Sequence, residues 1–70
     1  MEIEHTTEER LTREQAADRL RALADELARQ NEVSFIRSGK QFTVAVPSEV
    51  TFSLEVEIGD ENEIEVELKW

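Results

Sequence analysis

From Val50 to Trp70, apolar and polar side chains alternate almost without a fault. Successive side chains of a strand point to opposite sides, so this period predicts strands with one dry face and one wet face. Gly59, Asp60, Glu61 and Asn62 interrupt the run. The pattern therefore predicts two strands, over 50–58 and 63–70, joined by a turn. Their wet side is nearly all glutamate, and their dry side ends on Trp70, the one tryptophan of the chain.

Upstream the period becomes helical. Ala16, Leu20, Leu23, Ala24 and Leu27 recur at helix spacing. Thr12-Arg13-Glu14-Gln15 fits a capping box, with Thr12 as N-cap and Gln15 reaching back. Leu11 precedes the cap and is placed to staple onto Ala16. No Gly or Pro interrupts 12–30, Asp25 and Arg29 are spaced as an i,i+4 ion pair, and Asn31 is a plausible stop.

Two further strands, over 33–37 and 41–46, flank Ser38-Gly39. A two-residue loop there sets Phe35 opposite Phe42 and Val33 opposite Val44 on one face, so turn length and hydrophobic phase agree. Pro47-Ser48-Glu49 reads as a three-residue turn that would pair Val46 with Val50 and Val44 with Phe52. Residues 1–10 alternate weakly at Ile3, His5 and Thr7, as an arm or a short strand. The expected fold is α+β. One N-terminal helix packs on the apolar face of a four-stranded antiparallel meander, to which residues 2–8 of the 1–10 arm can add a short fifth strand, with 11–70 as a single compact domain.

Seventy residues make a small domain with a marginal core. There is no cysteine, so neither a disulfide nor a thiolate zinc site can support the fold. The start of the chain is acidic and lacks the basic and apolar regions of a secretory signal, and no apolar stretch is long enough to span a bilayer. A cytoplasmic protein is expected.

The net charge is −9, and residues 41–70 carry −7 of it. Lysine occurs twice and arginine six times. Many acids with few lysines suit a salt-rich cell, where self-repulsion is screened over about 3 Å at 1 M salt. A halophilic setting is the expectation, and in that setting acidity says little about particular partners.

The predicted dry face carries Val33, Phe35, Phe42, Val44, Val46, Val50, Phe52, Leu54, Val56, Ile58, Ile64, Val66, Leu68 and Trp70. Four strands span some 15–20 Å and one helix about 10 Å, so a strip should stay uncovered unless the N-terminal arm folds over it. Uncovered apolar strips usually mark interfaces. Val66, Leu68 and Trp70 are the candidate interface residues, with Trp70 either closing the core or anchoring a partner.

The wet face carries Glu55, Glu57, Glu63, Glu65 and Glu67. Two registers keep the dry face dry. One pairs Glu57 with Glu65 and Glu55 with Glu67; the other pairs Glu57 with Glu63 and Glu55 with Glu65. Both oppose like charges, so a diffuse layer of hydrated cations is expected rather than a coordinated metal. The loop at Gly59 is too short for an EF-hand.

Catalytic signals are weak. His5 has no second histidine beside it in the sequence, and nothing fixes it against Ser34 or a glutamate as a triad would require. The glutamates share one exposed face, whereas acid/base work needs two carboxyls in different environments. Gly39 and Gly59 are single turn glycines, not a phosphate loop. Arg13, Arg19, Arg21 and Arg29 are interleaved with Glu14, Asp18, Asp25 and Glu26, which argues against a nucleic-acid surface.

Four segments together resemble the small amphi-Trp domain proteins of haloarchaea and some bacteria. They are Thr12-Arg13-Glu14-Gln15-Ala16-Ala17, Leu20-Arg21-Ala22-Leu23-Ala24-Asp25, Val44-Ala45-Val46-Pro47 and Glu63-Ile64-Glu65-Val66-Glu67-Leu68-Lys69-Trp70. The resemblance spans residues 11–70. It implies a compact stand-alone domain and no particular reaction. The expectation is a non-enzymatic protein-interaction module without cofactor, working as a homodimer or with a protein partner. The alternatives are a small regulator acting near nucleic acid through the helix, and a small-molecule binder using the groove between helix and sheet.

Overall fold

The helix begins where the capping box places it. The computed structural model describes residues 2–70, with α1 at Arg13–Gln30. Thr12 is extended, and its hydroxyl accepts from the Gln15 amide at 3.1 Å. The Thr12 amide donates to Gln15 Oε1 at 3.0 Å. The two bonds satisfy groups that a helix start leaves without partners. Asn31 ends the helix at φ 54°, a left-handed conformation that asparagine tolerates. No helix among the described residues is long and apolar enough to cross a membrane.

Four strands follow: β1 (Glu32–Arg37), β2 (Lys40–Ala45), β3 (Thr51–Glu57) and β4 (Glu63–Lys69). β1 and β2 pair in the expected register, Val33 with Val44 and Phe35 with Phe42. Ser38 and Gly39 both have positive φ, 53° and 75°, as a type I′ turn requires. A Cβ at Gly39 would meet nothing within 4 Å, so only the backbone conformation demands glycine there. Gly39→Ala is therefore expected to cost about 1–2 kcal/mol through left-handed strain alone. Urea denaturation checks it; an unchanged midpoint would mean the turn can adopt another conformation.

β3 and β4 pair Leu54 with Val66, Glu55 with Glu65 and Glu57 with Glu63. This is the second of the two registers. The Asn62 side chain accepts from the Gly59 amide at 3.3 Å and helps to close the loop.

The strands do not form one four-stranded meander. They form two separate antiparallel hairpins, β1–β2 and β3–β4. The expected pairings of Val46 with Val50 and Val44 with Phe52 are absent. Two local causes are visible. The Val46 amide donates to the Asn31 carbonyl at 2.9 Å, so the chain beyond β2 stays bonded beside β1. A three-residue hairpin loop also closes on a left-handed residue, and none of Pro47, Ser48 and Glu49 has positive φ. Proline additionally holds the preceding residue extended.

A fifth strand is not formed either: residues 2–12 carry neither helix nor strand, and the first residue of the predicted arm lies outside the described residues. The arm is nevertheless held. Arg19 donates two bonds to the Glu9 carboxylate, at 2.6 and 3.2 Å. His5 stacks on Phe35 with ring centroids 4.7 Å apart, and Phe35 stacks on Phe42 at 5.5 Å. The helix contacts β1, and Glu26 Oε1 accepts from the Ser34 amide at 2.8 Å, tying helix to strand. The Asp25–Arg29 pair is not among the ion pairs formed; Arg21 bonds Asp18 and Arg13 bonds Glu14 instead. Exposed pairs of this kind contribute little either way.

No described side chain is fully buried. The accessible surface is 6866 Å², against about 4,500 Å² for a compact monomer of this mass. The radius of gyration is 13.9 Å, against about 11 Å for a compact chain of this length.

Candidate functional site

The apolar residues of β3 and β4 share one face because each strand alternates and the register keeps the phases aligned. Phe52 faces Leu68, Leu54 faces Val66, and Val56 faces Ile64. Leu68 is half-buried, while the others remain exposed. Ile58, at the loop end, is 85 % exposed.

At the opposite end this face meets the helix across an open groove of about 440 Å³. Leu20, Leu23 and Leu27 form one wall; Phe52, Val66 and Leu68 form the other. A narrower cleft of about 180 Å³ separates Leu68 and Trp70 from Val33, Val44 and Val46 of the first hairpin. Trp70 thus lines the seam between the two hairpins and is still 58 % exposed. Of the predicted interface residues, Val66 lines the groove, Trp70 lines the cleft, and Leu68 borders both.

Glutamates occupy the other face of the same hairpin. Glu55 lies opposite Glu65, and Glu57 opposite Glu63. Glu67 lies opposite Ser53, and Lys69 opposite Thr51. Repulsion from the Glu63 carboxylate raises the Glu65 pKa above its ordinary value of 4.5. A hydrogen bond with Glu63 adds to the rise, Glu57 contributes a little more, and a bond with Glu55 offsets part of it. Among the described residues, no group of three or more histidine or acidic side chains converges in a metal-binding arrangement.

His5 and Ser34 are not brought together. His5 lies over Phe35, whereas Ser34, next in sequence to Phe35, points to the opposite face, where its hydroxyl lies 3.4 Å from that of Thr43. The helix arginines are partly spent within the chain: Arg13, Arg19 and Arg21 each bond a carboxylate. The His5–Phe35–Phe42 stack escaped the sequence reading, although the weak alternation of Ile3, His5 and Thr7 carried its trace. Those three residues line a hollow with Phe35 and Phe42.

Comparison with curated proteins finds no match, and comparison with solved structures finds none either. Comparison with family models does find one. The Amphi-Trp domain matches residues 1–70, including the ten residues that the resemblance over 11–70 left out. The match covers the whole chain, from the arm through the capped helix to Trp70, and the chain belongs to the Amphi-Trp domain family.

Proposed function

We propose that this domain is a non-enzymatic docking module whose binding surface is the apolar face of β3–β4, with Val66, Leu68 and Trp70 at its helix-proximal end. The carrying observation is the open groove between that face and Leu20, Leu23 and Leu27. Every residue that lines it is apolar. A small-molecule site needs a few convergent polar groups to orient its ligand, so the groove suits an apolar protein surface better. Ion pairing of the helix arginines and a net charge of −9 weigh against a nucleic-acid partner. The glutamate face, directed away from the groove, fits a salt-rich cytoplasm in which hydrated cations gather diffusely along it.

Native-lysate capture in concentrated KCl tests the reading. Wild-type protein should retain a defined set of proteins, its own untagged copies included. Val66→Asp, which places a charge on the face, should lose them while keeping the helical circular dichroism. Equal retention by both forms would overturn the docking role of this surface.

A further inference from the structure

The covering elements among residues 2–70 are already committed to the first hairpin. The arm lays His5 on Phe35, and the helix is tied to β1 through Glu26 and the Ser34 amide. One helix about 10 Å across cannot also roof the second hairpin. Leu54, Val56, Ile58 and Ile64 are consequently left exposed.

The area left open is quantitatively telling. Phe52, Leu54, Val56, Ile58, Ile64, Val66 and Trp70 each keep between 47 % and 85 % of their surface exposed. Together they leave on the order of 800 Å² open per copy, about what each partner of a standard-size specific interface buries. A two-stranded ribbon with one apolar face is also self-complementary. Two such ribbons can stack about 10 Å apart under a two-fold axis, each residue meeting its counterpart patch. Strand alternation keeps Glu55, Glu57, Glu63, Glu65 and Glu67 off that face, so stacking buries no charge.

We propose that a second copy of this chain covers the apolar face of β3–β4, making the domain a two-fold homodimer with its glutamates outermost. The proposal rests on the docking reading above and names its partner. Screening of the repulsion between two chains of charge −9 should make the dimer tighter in concentrated salt.

Light scattering on a sizing column in about 2 M KCl is the test. The expected mass is twice the 8.1 kDa of one chain. Val56→Asp should weaken the dimer by tenfold or more, and Ser53→Asp, on the opposite face, should leave it intact. If Val56→Asp fails to fold, nuclear Overhauser contacts between differently labelled wild-type copies take its place. Contacts joining Val56 and Ile64 methyls across copies support the proposal, and a dimer without them overturns it. A monomer at every concentration also overturns it. A monomer that still shows Val66-dependent capture leaves the docking surface standing with a different protein as partner; a monomer without such capture sinks both readings.

Discussion

In dilute buffer the protein will be markedly less stable than in concentrated KCl, and Glu65→Gln will recover part of the difference. The cause lies in the crowding of glutamates on one face, where Glu63, next to Glu65 on that face of β4, is the strongest repulsive neighbour of Glu65. Glu55 faces Glu65 and Glu57 faces Glu63, and side chains directly opposite across a ladder sit only about 5 Å apart at Cβ. At about 0.01 M salt the screening length is near 30 Å, so such neighbours feel each other in full; at 1 M it falls to about 3 Å. Folding brings these carboxylates together, and salt removes the penalty.

The same site fixes a pH dependence. Glu65 has its pKa raised in the folded chain, first by the Glu63 carboxylate. Between its ordinary value of 4.5 and the raised one, the folded chain holds more protons than the unfolded chain. Stability contributed by this site therefore falls as pH rises through that window, and the penalty is complete above the folded pKa. In low salt, urea midpoints should climb as pH is lowered through the raised Glu65 pKa towards 4.5. Glu65→Gln should flatten the climb, and so should concentrated KCl. Solubility near the isoelectric point of about 4.4 bounds the useful range. Midpoints that ignored both salt and the Glu65 substitution would mean that the Glu63 and Glu65 side chains relieve the repulsion by swinging apart.

The features legible in the sequence were those set by neighbours along the chain. Thr12 and Gln15 cap the helix as their spacing requires, because both partners lie within one turn. The Phe35–Phe42 pairing followed from a two-residue turn whose residues tolerate positive φ. The β3–β4 phase followed from alternation, which left two registers; the chain adopts the one that gives Thr51 a partner in Lys69.

What failed was the step from hairpins to sheet. Hydrophobic phase placed Val44 and Phe52 on one apolar face, and phase alone cannot say whether two strands share hydrogen bonds. That depended on Val46 bonding back to Asn31 and on a Pro47–Glu49 segment without a left-handed residue. The arm was illegible for a related reason. Its hold comes from Glu9 on Arg19 and His5 on Phe35, contacts 10 and 30 residues apart in sequence, which no local period encodes.

Trp70→Ala will separate closure of the seam from association, and its effect should be among the largest of any single substitution. Trp70 is 58 % exposed, so roughly two-fifths of its surface is covered within one chain. At about 25 cal/mol per Å² this partial cover accounts for some 2 kcal/mol. That loss should appear at every protein concentration. Association adds a second, distinct signature. If a second copy completes the cover of the β3–β4 face, wild-type midpoints rise with concentration. Those of Trp70→Ala should rise less, with the helix signal retained, and Trp70→Phe should fall between the two. Because Trp70 is the one tryptophan, its emission reports directly on its surroundings. Adding KCl to the wild type should shift the emission to shorter wavelength in step with the gain in mass. A loss of about 2 kcal/mol without any change in concentration dependence would confine Trp70 to the seam between the hairpins. The docking surface would then reside in Leu54, Val56, Ile58 and Ile64, further along the same face.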